Sequence, residues 1–144
     1  MKNILVTIDF NTDEKLLIDK ALQLAKSFDS KIWLMHVAAP EPDFVGYTGG
    51  SEYFRDERAA DLRKEHKQIQ EYAENIKQKG IKAEGLLIQG TTVEMILLES
   101  TKLNVDLIII GHHEHGFFYK AFLGSVSEAI IKKSKIPVLM VPLE

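Results

Sequence analysis

The chain has 144 residues, 45% hydrophobic and 27% charged, and 18 Lys+Arg against 21 Asp+Glu leave a net charge of −3. That length can bury a core without staples, the apolar content excludes a disordered chain, and the weak negative balance opposes bulk nucleic-acid binding, which needs a concentrated positive patch. The absence of cysteine removes thiol catalysis, Cys-ligated zinc and disulfides, and no apolar run reaches the ~20 residues of a membrane-spanning helix.

Met1-Lys2-Asn3 runs into Ile4-Leu5-Val6-Thr7-Ile8 and reaches Asp9. The run is too short for a secretory segment and no small-residue cleavage site follows, so it is expected to be the first strand of a cytoplasmic protein. Leu17, Ala21, Leu24, Ala25 and Phe28 then recur at steps of three and four, which predicts an amphipathic helix. Ile32 to Val37 reads as the second strand. From Ala38 to Asp56 the chain holds two prolines, Gly46, Gly49 and Gly50, with Phe44, Tyr47, Tyr53 and Phe54, and reads as a long loop, either a surface excursion or a lid over a ligand. A charged helix follows with the stripe Leu62, His66, Ile69, Ala73 and Ile76, stopped by Gly80.

Ala83 to Ile88 is the third strand, Val93, Ile96 and Leu97 mark the third helix, and Leu107 to Ile110 is the fourth strand, ending at Gly111. A polar loop, His112-His113-Glu114-His115-Gly116, and the aromatics Phe117, Phe118, Tyr119 and Phe122 come next. Gly124-Ser125 opens a helix carrying Val126, Ala129 and Ile130, and Ile136 to Val141 closes the chain as a fifth strand. The strand segments are nearly continuous in apolar residues, as in strands covered on both faces. Strands alternating with helices predict one open, mostly parallel α/β sheet with right-handed crossovers, spanning residues 1–144 as one domain.

Open parallel sheets bind ligands at the carboxyl ends of their strands. Here those ends carry Asp9, His36-Val37 and Gly111. His36 reads as a buried, hydrogen-bonded core histidine. Gly124-Ser125 is either an anion site made of free backbone N–H groups or an ordinary N-cap. No phosphate loop of the G-x-x-x-x-G-K-[ST] type and no G-x-G-x-x-G turn is present.

These residues together resemble the universal stress protein family over essentially the whole chain. Ile4 to Asp9 is similar to the family's first strand and its terminal aspartate, Leu34-Met35-His36-Val37 to its second strand, and Gln89-Gly90 followed by Val93-Glu94-Met95-Ile96 to its strand-to-helix turn. Ile136-Pro137-Val138-Leu139-Met140-Val141-Pro142 resembles its last strand. ATP-binding members carry G-x2-G-x9-G-[ST]; Gly111 and Gly124-Ser125 match it, and Glu114 stands in place of the middle glycine. The resemblance implies a Rossmann-like sheet of five parallel strands, order 3-2-1-4-5, with helices on both faces, like that of the adenine nucleotide alpha hydrolases. It further implies ATP or AMP at the strand ends, with Mg or Mn beside the phosphates. Thr7, Ile8, Asp9 and Val37 would meet the adenine and ribose, Gly111 and His113 the ribose and phosphate side, and Gly124, Ser125, Val126 and Ser127 the phosphates. It also implies a homodimer through Val138 to Val141.

Two further readings stand beside this one. Gly111-His112-His113-Glu114 resembles the family branch that does not bind ATP, and a carboxylate against a polyphosphate is repulsive unless a divalent cation bridges them. On that reading Glu114 blocks the site and the protein acts through dimerisation and protein contacts. His112, His113 and His115 with Glu114 also suggest a metal or proton sensor, although neighbouring residues on an extended loop point apart. No general base or arginine finger is positioned for phosphoryl transfer, so the expected role is regulatory, with at most slow hydrolysis.

Overall fold

The computed structural model describes residues 1–10, 14–38, 51–113 and 126–143, the side chains of residues 51–55 and 113 excepted. The elements run β1 (Asn3–Thr7), α1 (Glu14–Phe28), β2 (Lys31–Ala38), α2 (Ser51–Gln78), β3 (Ala83–Gln89), α3 (Thr92–Lys102), β4 (Leu107–His113), helical turns over 126–133 (α4) and β5 (Val138–Leu143). All four strand pairs are parallel, in the order β3-β2-β1-β4-β5.

The central strand explains the continuous apolar runs. Val6 lies between Leu34 of β2 and Ile109 of β4. Its side chain and that of Ile4 join Leu17, Ala21, Ile69 and Ile76 in a layer with α1 and α2, while Leu5 between them joins Met35, Ile96, Ile108 and Ile130 on the other face. Ile4, Leu5 and Val6 are all fully buried. Alternate side chains therefore enter two different cores, each buried large side chain contributing about 1.5–3 kcal/mol, and none of the three central positions, Ile4 to Val6, can be polar.

Two contacts set the sheet's edges. α2 approaches β3 so closely that a Cβ on Gly85 would stand 2.9 Å from the carbonyl oxygen of Ile69, and the Gln70 side-chain amide donates to the Gly85 carbonyl at 3.0 Å. At the amino end, Asp106 Oδ2 accepts from the backbone N–H groups of Lys2 (2.7 Å) and Asn3 (2.9 Å), tying β1 to the turn before β4. Those bonds, from Asn3 and then Lys2, hold the Asp106 carboxyl below its ordinary range.

Several boundaries differ from the sequence expectation. Ala38 is the last residue of β2, and the helix begins at Ser51, so residues 51–56 of the expected loop are helical; residues 39–50 lie outside the described set. β1 ends at Thr7, one residue early. β4 continues through His112 and His113, which pair with Pro142 and Leu143, so these two histidines are strand residues. Phe28, expected on the buried stripe of α1, is 52% exposed: it is the helix's last residue, and Asp29 with φ 54° turns the chain away. His66, placed on the stripe of α2, is likewise exposed. Gly80 ends the α2 turn as expected, with φ 84° and its N–H on the carbonyl of Lys77. Among the described residues no helix is long and apolar enough to cross a membrane.

Candidate functional site

At the carboxyl end of β1 the chain makes one more ladder bond, Ile8 N–H to Met35 C=O at 2.8 Å, and then turns. Phe10 takes φ 63°, a left-handed conformation costing a non-glycine residue on the order of 1–3 kcal/mol. Aromatic packing holds it there: the ring lies edge-on to His36 at 4.7 Å and stacks on Tyr72 at 6.4 Å. Tyr72 donates to Glu14 Oε2 on α1 at 3.2 Å. Burial, and next the Glu14 carboxylate, push its phenol above the ordinary value and keep it a donor. The turn that displays Asp9 is thus braced by both helices of its face.

Beyond this turn a cavity of about 250 Å³ opens across the ends of β1, β2 and β4. Its lining includes Thr7, Ile8 and Asp9 after β1, His36 and Val37 of β2, Ile110 and Gly111 of β4, and Val126 and Ser127 of α4. Its volume is just under the ~300–1,000 Å³ usual for small-molecule sites. The two chain segments whose ends stand nearest in sequence, 39–50 and 114–125, lie outside the described residues.

Two wall residues show what the cavity can do. Ser127 is only 3% exposed and lines the cavity, so it sets a hydroxyl-bearing residue in an otherwise largely apolar wall. Gly111 is glycine for a packing reason. A Cβ there would run into Leu143 Cδ1 and stand 3.2 Å from Leu143 Cγ and 3.5 Å from Leu17 Cδ1. The side chain of Leu143, 2% exposed, occupies the space beside the first glycine of the motif.

Of the residues expected at the site, Thr7, Ile8, Asp9, Val37, Gly111, Val126 and Ser127 line this one cavity. His113 is the last residue of β4, with its side chain outside the description, as are Glu114, His115, Gly124 and Ser125. Leu17, His36, Thr92, Ile96, Ile110 and Leu143 also line it and were not expected there. Leu17 and Ile96 carried only a core signal in the sequence, and Leu143 carried none. His36 was read as a buried, hydrogen-bonded core histidine: the bond is present, Nδ1–H to Ile8 C=O at 2.6 Å, but the residue is half-buried and lines the cavity rather than the core, because it stands at the open carboxyl end of β2. Among the described residues no three His, Asp or Glu side chains are placed to hold a metal ion.

An open, all-parallel five-stranded α/β domain with a largely apolar cavity at its strand ends, polar at a few chosen points, is a nucleotide-type binding architecture. The chain belongs to the universal stress protein family, whose model matches residues 1–142. It is 30% identical to universal stress protein YxiE of Bacillus subtilis over 95% of this chain and 96% of that protein. It is 28% identical to universal stress protein A of Yersinia pestis over 99% and 92%. Three solved structures share the fold: a family protein from Arabidopsis thaliana with AMP bound (TM-score 0.68, 18% identity, 100% and 93% covered), one in complex with cAMP (0.66, 20%, 98% and 96%), and one from Archaeoglobus fulgidus in complex with dAMP (0.64, 16%, 100% and 98%).

Proposed function

We propose that this domain is a regulatory protein that binds an adenine mononucleotide, AMP in preference to ATP, in the cavity at the ends of β1, β2 and β4. The carrying observation is the cavity itself: Thr7, Ile8, Asp9, Val37, Gly111 and Ser127, brought from three strand ends and a helix, line one largely apolar space at the carboxyl edge of the sheet. On this reading Val37 and the Thr7–Asp9 segment, which also line the cavity, meet the base and ribose. The cAMP, dAMP and AMP complexes of same-fold proteins support the mononucleotide reading.

Glu114 sets the preference. It stands where the motif of ATP binders has glycine, and its charge opposes the outer phosphates most, unless Mg or Mn bridges the two. Nucleotide supply agrees with a cytoplasmic setting. We further propose that two copies pair through β5, which among the described residues is an edge strand joined only to β4 and whose half-buried Val138, Leu139 and Met140 are better covered than exposed.

Isothermal titration with AMP and ATP, with and without magnesium, tests the site. AMP heat at micromolar to submillimolar concentration is expected, with ATP weaker; no heat at millimolar AMP overturns the reading. In Glu114→Gly, ATP affinity rises more than AMP affinity. A monomer in sedimentation at micromolar concentration overturns the dimer.

A further inference from the structure

One part of the cavity lining comes from β5, an element that contributes none of the expected site residues. In the β4–β5 ladder Gly111 stands opposite Val141 and His113 opposite Leu143. Alternate residues of a strand share a face, and Val141 and Leu143 both belong to the core layer of α1 and α2. The side chain of Leu143 reaches back across the ladder onto Gly111. A Cβ on Gly111 would run into Leu143 Cδ1 and stand 3.2 Å from its Cγ, with Leu17 Cδ1 of α1 at 3.5 Å. The bare face of Gly111 is therefore covered by two isobutyl groups. Leu17 and Leu143 are each 2% exposed, and all three residues line the cavity.

This cover decides which part of a ligand can approach Gly111. In the motif of ATP binders Gly111 is the first glycine, the position that the resemblance gives to ribose and phosphate. Here a phosphate oxygen brought onto the covered face would give up its water and meet only hydrocarbon, and a charge buried without a partner is strongly unfavourable. The polar side chains of the lining belong to Thr7, Asp9, His36, Thr92 and Ser127, none of them on β5. The cavity of about 250 Å³ is also small because the Leu143 side chain fills the space next to it.

We infer that Leu143 is a specificity-determining residue: by closing the space at Gly111 with hydrocarbon it restricts the cavity to a mononucleotide and leaves further phosphates no room there. This rests on the reading of the cavity as a nucleotide site and names the ligand class that site admits. Glu114 opposes the outer phosphates by charge, Leu143 by volume and by a dry surface, so the two contributions are separable.

Leu143→Ala is the test variant and Leu143→Met the conservative one, since methionine refills apolar space. AMP and ATP are titrated calorimetrically into each chain, with and without magnesium, and the ATP-to-AMP affinity ratio is compared with wild type. In Leu143→Ala the ratio is expected to move toward ATP by at least about tenfold, the low end of what one methylene decides in an apolar pocket. In Leu143→Met it stays near the wild-type value. The shift is the same with and without magnesium, because a bridging cation relieves charge repulsion and not a lack of space. A leucine that only supports the fold would weaken both nucleotides together. An unmoved ratio in folded Leu143→Ala, or a shift confined to magnesium-free solution, overturns the proposal. Leu143→Val is a smaller truncation that keeps a β-favouring side chain and serves where the alanine variant does not fold; its ratio moves the same way by a smaller step, and an unmoved ratio there counts equally against the proposal.

A second measurement reads the contact itself. In methyl-labelled protein saturated with AMP, the Leu143 methyl groups should show nuclear Overhauser contacts to base or ribose protons, and their absence overturns the proposal. AMP binding with an unmoved ratio removes only the role of Leu143; no heat with millimolar AMP removes the nucleotide reading and this inference together.

Discussion

The packing of Leu143 against Gly111 gives the sharpest test of how this site is built. A methyl group added at Gly111 would run into Leu143 Cδ1 and crowd Cγ at 3.2 Å. Overpacking of this kind costs about 1–3 kcal/mol, reduced by the roughly 0.4–1 kcal/mol that losing a glycine removes from unfolded-chain entropy. Gly111→Ala should therefore destabilise by about 1–2 kcal/mol. Leu143→Ala removes a side chain that is 2% exposed and should cost about 2–3 kcal/mol, the lower part of the range for such truncations, because β5 ends there. In the double variant the two volumes compensate: the new methyl enters space the leucine has left. The double variant should be more stable than the sum of the single effects predicts by at least about 1 kcal/mol. Urea unfolding at fixed protein concentration reads this directly, since with m near ~2 kcal/mol/M the coupling is a midpoint difference of about 0.5 M. Strict additivity would refute the claim that Leu143 dictates glycine at position 111. It would leave close approach of a ligand as the reason for that residue.

Ser127→Ala should weaken AMP about tenfold, as for a hydrogen bond to a charged group, because Ser127 lines the cavity; unchanged AMP affinity in titration calorimetry would contradict this. Gly85→Ala should cost about 2 kcal/mol or more in urea unfolding, since the atom it meets, the Ile69 carbonyl oxygen at 2.9 Å, is helix backbone and cannot swing aside; a neutral result would mean α2 can slide on β3. Asp106 tests the sign of a proton linkage. Its folded-state carboxyl is held below the ordinary value by the Asn3 and Lys2 amides, so its contribution is present above the unfolded value of ~4 and is lost as pH falls through the folded value. Asp106→Asn should cost about 1 kcal/mol at pH 7, a figure already discounted for an exposed group. The gap to wild type should close below about pH 4, and a gap that widens in acid would reverse the argument.

Strand placement was legible because a parallel strand covered on both faces has no room for a polar side chain, and Ile4 to Val6 with Ile108 to Ile110 say so locally. The residues at the strand ends were legible too: Thr7, Ile8, Asp9, Val37 and Gly111 meet at one cavity because parallel strands put all their carboxyl ends on one edge. Helix stripes were legible in their middles and misleading at their ends, where Phe28 is exposed since its helix stops before the turn can be covered. The extension of β4 through His112 and His113 depended on β5 arriving alongside, which no local pattern announces.

The sequence by itself therefore determined the fold class, the family and the edge of the sheet where the cavity opens, because each of these follows from periodicity and from motif residues close together in the chain. Only the tertiary structure decided what those residues do. Gly111 packs against Leu143, Ser127 is brought to the cavity wall at 3% exposure, and His36 stands between the Ile8 carbonyl and Glu65. Each of these is a contact between elements remote in sequence, where the energy comes from who arrives at the other side. A single chain of letters carries the propensity of each partner and no record of their meeting.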